Sequence, residues 1–315
     1  MTKITPSQAI AGALLACGLA AAPAQAGPNR TFVSGTGTDS GTCTRTAPCR
    51  TFAFALSVTT AGGEIDVLDP AGYGTVTINQ AISIVNDGVG TAGITAGSGL
   101  NGVTINAGAS DSVHLRGLTI VGPGTTGSNG IQFNTGGNLE IENCVIRNFQ
   151  GGIVILASTS SSFSVSNTIA SNNAGGIGVE PFGSAVVTGV LSHVIADDNN
   201  AGISVAGTFT TGASLNVTVA DSETSNNASG TGISGISALG AAPVSVLIRH
   251  VVVRNNNSGL DAEANSTLRV DHSVVTGNGT AAETSGSGVI FTYGNNDSNG
   301  NTVDNFGTLT KIATQ

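Results

Sequence analysis

A pattern that returns with different residues in the same roles, from about residue 113 to residue 291, constrains this chain more than any other feature. Its clearest copy is Leu139 to Leu156, LEIENCVIRNFQGGIVIL. Each copy runs apolar-x-apolar, a special residue, an apolar pair, an Asn-rich corner, then Gly followed by an apolar residue. Aligning on that Gly selects Gly130, Gly152, Gly176, Gly202, Gly232, Gly259 and Gly288, 22 to 30 residues apart. Short period-2 runs between polar corners, without helical periodicity, predict stacked β-coils. Parallel stacking makes the coil right-handed.

The special residue is Gly117, Asn143, Asn167, His193, Asp221, His250 and His272 in successive copies. These types tolerate positive φ best, so the column predicts a one-residue left-handed corner. Two residues earlier stand Leu115, Ile141, Val165, Leu191, Val219, Ile248 and Val270, which strand alternation directs into the core. Five residues after the corner come Asn148, Asn172, Asp198, Asn226 and Asn255, followed by Asn173, Asn199, Asn227, Asn256 and Asn278. Stacked amides of this kind hydrogen-bond from coil to coil, so these residues are scaffold before they are anything else.

The fold class expected is therefore all-β, a right-handed parallel β-helix of about nine coils with a short N-terminal capping helix. With 46 Gly and 9% charged residues, composition agrees with a turn-dense solenoid. In Thr51 to Thr60, Phe52, Ala55, Leu56 and Thr59 fall at helical spacing, and this helix covers the open end of the solenoid. Gly63 to Leu68 reads as the first strand. Val76 to Ile78 and Ile82 to Val85 complete an irregular first coil, Asp87 to Asn101 is a Gly-rich insertion, and Gly102 to Ile105 opens the next coil. The division expected is a cap over 27–62, the solenoid over 63–294 with its last coil ending at Phe291 to Tyr293, and a polar cap over 295–315.

Residues 1–26 carry Lys3, an apolar run from Ala9 to Ala22 and the ending Ala24-Gln25-Ala26, the pattern of a secretory signal cleaved after Ala26. The alternative is lipidation at Cys17, in Leu14-Leu15-Ala16-Cys17. The full chain has a formal charge of −9; the leader removes Lys3 and no acid, leaving −10, which disfavours nucleic acid and anionic lipid as partners. No later stretch reaches the ~20 apolar residues of a membrane helix. In an exported chain, Cys43 and Cys49 predict a disulfide closing a small loop, worth roughly 2 kcal/mol. Cys144 reads as a buried free thiol.

The run apolar-x-apolar-x-Asn-Cys-x-apolar-x-Asn, then Gly-Ile, resembles right-handed β-helix repeat proteins of the pectate-lyase-like superfamily. CTRTAPCRTFAFAL and GGEIDVLDPAGYG are similar to segments of a group of bacterial exported β-helix proteins with no assigned activity. The resemblance spans about residues 29–303. It implies the fold and little about activity, since the superfamily includes lyases, hydrolases, esterases, epimerases and binding proteins.

Chemistry is sought where outward side chains follow each Gly. The first such column reads Gln132, Val154, Gly178, Ser204, Ser234, Asp261 and Ile290; the second reads Asn134, Leu156, Glu180, Ala206, Ile236, Glu263 and Thr292. Glu180 lies three coils from Asp261 and Glu263, about 14 Å, beyond the reach of two-carboxylate chemistry. Asp261 and Glu263, about 7 Å apart on one strand, are the weak catalytic candidates. Asp197-Asp198 resembles a polygalacturonase pair but lacks the accompanying Gly-His-Gly and Arg-Ile-Lys elements, and falls in the Asn column. Asn295 to Gly300 resembles the start of a calcium loop but has Phe306 at its twelfth position. Arg116 beside Glu142 and Arg249 beside Asp271 read as inter-coil ion pairs. No metal or cofactor is expected. The leading expectation is a non-enzymatic surface for cell-envelope or extracellular polysaccharide or protein; the rival is a polysaccharide-cleaving enzyme centred on Asp261 and Glu263.

Overall fold

The computed structural model describes residues 27–124 and 127–313; the leader, with Cys17 and the Ala26 cleavage site, lies outside the described residues. One coil shows how sequence becomes architecture. Asn138–Glu142 is a strand in which Leu139 and Ile141 point inward and Glu140 and Glu142 outward. At Asn143 the backbone turns through φ 54°, and Val145–Arg147 follows on a second face. A further turn at Asn148, φ 62°, leads to Gly151–Ile155 on a third face. The chain then loops back to Ser161–Ser166, which pairs in parallel with Asn138–Glu142. Repetition builds three parallel sheets of 12, 10 and 9 strands among the described residues, called here the first, second and third sheets in the order a coil visits them.

The first corner is left-handed in each of the seven coils, with φ between 44° and 71° from Gly117 to His272. At Gly117 a Cβ would also collide with the Asn86 carbonyl, so glycine is required there twice over. The column Asn148, Asn172, Asp198, Asn226 and Asn255 forms a second left-handed corner, with φ between 53° and 62°. Of the two Asn columns, only the following one forms the buried ladder. The Asn227 Oδ1 accepts the backbone N–H of Asn199 at 3.0 Å, while its Nδ2 donates to the Ala196 carbonyl at 3.2 Å and to the Asn256 Oδ1 at 2.8 Å. Asn256 and Asn278 repeat this set, and Asn301 continues it one coil further.

The interior is a continuous stack of Ile, Val, Leu, Phe and Ala. Next to the ladder the coils approach so closely that a Cβ on Gly152, Gly176 or Gly202 would lie 2.5 Å from the carbonyl oxygen of the next coil. In the last coil this position is Ala281, and Gly288 instead precedes the first-sheet strand Val289–Thr292. Among the described residues no further strand of the third sheet stacks on Thr280–Thr284, which meets only an isolated bridge from Thr280 to Val303, so the steric requirement for glycine ends there.

Both ends differ from expectation in extent. The first sheet begins at Arg30–Val33, which pairs with Gly63–Val67. Ile82–Val85 opens a coil instead of closing one, and the Gly-rich insertion contains the second-sheet strand Ala92–Thr95. Helix Phe52–Val58, capped by the Thr51 hydroxyl on the Phe54 N–H, buries Phe52, Ala55 and Leu56. Cys43 and Cys49 are bonded, Cα atoms 4.9 Å apart, and both are fully buried. At the other end the pairing runs past residue 294: Asp297–Asn299 joins the second sheet and Thr310–Lys311 the first. Asn305 closes the third-sheet edge, its Oδ1 accepting the Ala282 N–H at 3.1 Å and its Nδ2 donating to the Ala282 carbonyl at 2.6 Å, while Phe306 is buried beside it. The groups of that edge so occupied are not offered to another chain.

Two stability measurements check this construction. Asn227→Ala leaves the Asn199 N–H and Ala196 carbonyl unpaired, and urea unfolding should show a loss of about 2 to 4 kcal/mol, against under about 0.5 for exposed Asn216→Ala. His250→Asn should be silent because Asn fills the same left-handed corner elsewhere, whereas His250→Val should lose roughly 1 to 3 kcal/mol.

Candidate functional site

Strand alternation turns one column of the third sheet outward along the whole solenoid. The pairing register places Thr77, Thr104, Gln132, Val154, Gly178, Ser204, Ser234 and Asp261 in line. The next member is Glu283, opposite Asp261. Ile290 and Thr292, expected here, lie instead on the first sheet, where Ile290 is buried in the core. Their misplacement follows from aligning on Gly288. The signal that finds Glu283 is the distance of three residues from the ladder Asn to the Gly position, kept at Asn173, Asn199 and Asn256 though five at Asn227, which from Asn278 points to Ala281.

The face divides into three zones. Near its N-terminal end the amides bond to one another: Asn101 and Asn129 donate to the Gln132 Oε1 at 3.0 and 2.8 Å, Gln132 donates to Asn134 at 3.0 Å, and Asn134 to Asn106 at 2.9 Å. At the centre, Gly151, Gly175, Gly178 and Ala201 floor a trough of about 480 Å³, walled by Val154, Leu156 and Glu180. Burial alone raises the Glu180 carboxyl above its ordinary value. Near the C-terminal end, Asp261 and Glu283 line a second cleft of about 650 Å³, bounded by Asn305, Thr308, Leu309 and Thr310.

Asp261 is the most perturbed acid on this face. Burial, then the charges of Glu263 and Glu283, push its carboxyl up to about 6. Glu283 stands opposite Asp261 on the adjacent parallel strand, about 4.8 Å away between backbones, whereas Glu263, expected on the strand of Asp261, lies just past its end at Ala262. Near pH 6 such a group is half protonated beside a carboxylate, the condition for acid and base roles to separate. Glu180 remains three coils away, about 14 Å, and joins no pair. Among the described residues, no Lys, Arg or His lies on a strand of this sheet.

The remaining candidates are engaged structurally. Asp198 is a left-handed corner, and Asp197 accepts hydrogen bonds from Ser225 and Asn226 of the next coil, both at 2.8 Å. Asn296 accepts the Ser273 N–H at 2.8 Å, and Asp297–Asn299 pairs with Val274–Thr276, so the Asn-rich segment continues the coil. Arg116 meets Glu142 at 3.7 Å and Arg249 meets Asp271 at 3.3 Å. Among the described residues, no group of three or more His, Cys, Asp or Glu is placed to hold a metal ion. Cys144 is buried next to the first corner, its thiol pushed up to about 12 by burial, and is inert as a nucleophile.

Residues 101–306 match the family described as right handed beta helix region. Pectate lyase Pel9A superposes with a TM-score of 0.57 at 15% identity, covering 84% of this chain and 74% of that one. A rhamnogalacturonan lyase gives 0.58 at 15% identity, covering 79% and 74%. No curated protein matches the sequence.

The Asp261 environment has a consequence for stability. Because its folded value is raised, the folded state retains a proton that the unfolded state has lost between about 3.8 and about 6, so its contribution falls as pH rises through that window. Asp261→Asn should remove this decline. Urea midpoints of both proteins from pH 4 to 7 check it, the mutant gaining on wild type as pH rises.

Proposed function

The chain belongs to the right-handed β-helix family, and on that premise we propose that it is an exported, non-enzymatic binding protein whose third-sheet face holds an extended, hydroxyl-rich polymer. The observation that carries this reading is the composition of the face: small residues, amides, hydroxyls and carboxylates in register over nine strands, interrupted by Val154, with no cation among the described residues of the sheet. Amide and carboxylate oxygens accept from sugar hydroxyls, and glycine floors let a chain approach the backbone. Four carboxylates without a counter-charge, Glu180, Asp261, Glu263 and Glu283, favour neutral or amine-bearing chains over acidic ones. Export is supported by the disulfide and by the absence, among the described residues, of a helix long and apolar enough to cross a membrane.

A second reading, cleavage of a neutral polysaccharide, is favoured by one observation: the Asp261 carboxyl near 6 with Glu283 on the adjacent strand. Retaining glycoside hydrolysis uses two carboxyl groups about 5 Å apart. Against it, no cationic or outward aromatic side chain among the described residues of the face orients a sugar ring.

Affinity electrophoresis against neutral, amine-bearing and uronate polysaccharides separates these. The expected result is retardation by a neutral or amine-bearing polymer, weakened at least about tenfold in Gly178→Gln, which fills the central trough, with no shortening of the polymer. Depolymerisation by wild type that disappears in Asp261→Asn would replace the binding reading by the enzymatic one; no retardation by any polymer refutes both.

A further inference from the structure

The first sheet carries chemistry of the opposite sign at its C-terminal end. Its outward columns bring Leu247, Arg269 and Phe291 into register on three adjacent strands, with Arg249 opposite Asp271 in the column beside them. Tyr293 and Ile312 follow at the edge of the sheet. Together they line a cleft of about 700 Å³, within the range that accepts small organic ligands. We propose that this cleft binds a small, ring-bearing carboxylate, with Arg269 as the anchor for its carboxylate group.

Arg269, like Arg45, Arg50 and Arg147, meets no carboxylate within 4 Å among the described residues, and of these four it is the one that lines this cleft. Arg30, Arg116, Arg249 and Arg254 each meet a carboxylate within 4 Å. Arg269 is only half exposed and forms no such pair among the described residues; it sits between the side chains of Leu247 and Phe291, with Nη1 donating to the Ser245 Oγ at 3.0 Å. That bond uses one of five guanidinium donors and orients the planar group. A partly desolvated guanidinium that is pre-oriented and unpaired matches a planar carboxylate through two parallel hydrogen bonds.

The surroundings limit the ligand further. Arg249 is balanced by Asp271 at 3.3 Å, and Asp271 also accepts from Asn295 at 2.7 Å and contacts the His272 ring at 2.8 Å. The uncompensated charge in the cleft is therefore the single positive charge of Arg269, on a chain whose formal charge is −9. One anionic group is matched, and a polyanion is repelled by the rest of the surface. Phe291, Tyr293, Leu247 and Ile312 supply apolar wall for the body of the ligand, and the aromatic pair favours a ring. This site lies on a different sheet from the polymer-binding face and does not depend on it.

Benzoate is a suitable probe because it has one carboxylate on one ring. Titrated into the isotope-labelled full chain and followed by NMR, it should shift the Arg269 side-chain and Phe291 ring signals to saturation. Benzamide, which keeps the ring and loses the charge, and sulfate, which keeps an anion and loses the ring, should each bind roughly tenfold more weakly or worse. Arg269→Gln should lose benzoate binding by a similar factor, and Arg269→Lys should recover only part of it, because the charge returns without the fork. Leu247→Trp fills the cleft while keeping the Arg269 guanidinium and should also block binding, which keeps the test decisive if an Arg269 variant unfolds. No saturable shift, an equal response to benzamide, or undiminished binding in Arg269→Gln or Leu247→Trp would overturn the proposal.

Discussion

The stacking of one coil on the next in fixed register is the constraint from which the other features follow. In the C-terminal half it is held by the Asn ladder, where Asn199, Asn227, Asn256, Asn278 and Asn301 bond successive corners through buried amides. A buried amide with one position unfilled costs about as much as several exposed contacts contribute. The ladder therefore favours one register and excludes slips, which parallel strands with near-uniform apolar interiors would otherwise permit. Coils in contact only with their neighbours also keep any loss local.

Register in turn makes the outer faces chemically continuous. Side chains of the same strand position line up along the solenoid, so each face is a set of columns whose character changes slowly. The third sheet passes from amides through glycines and hydroxyls to carboxylates, and the first sheet ends in arginine and aromatic residues. The perturbed group on the third sheet arises where two acids become neighbours at the end of a column. Burial supplies the larger part of the Asp261 shift and neighbouring charge the rest.

Several features were legible because they rest on local stereochemistry. Corner residues of the Gly, Asn, Asp and His types announce positive φ wherever they stand, and all seven members of the first corner column adopt it. The capping helix and the loop closed by Cys43 and Cys49 were legible for the same reason: short range and few alternatives. The second corner was visible only as an Asn-rich stretch. Asn148 and Asn173 are the same residue type, yet Asn148 serves the backbone conformation of its corner and Asn173 takes part in the ladder to the next coil. Gly288 misled because glycine has two uses here, close approach of coils and loop flexibility, and in the last coil the first use no longer applies.

The sequence by itself determined the coil: which residues face inward, where the chain turns, and that the whole is a parallel solenoid. Alternation and corner chemistry act within a few residues and are written directly in the order of side chains. Columns within the regular coils were also written there, but tertiary structure decided which side chains share a column in the last coil, where the Gly landmark no longer marks the same position. Loops between the third and first sheets vary in length, so the partner of Asp261 is set by loop closure and the packing of the terminal segment, not by a constant repeat. Glu283 beside Asp261, and Arg269 between Leu247 and Phe291, are contacts of that kind. They depend on the summed path of the intervening chain, which the Gly landmark does not record.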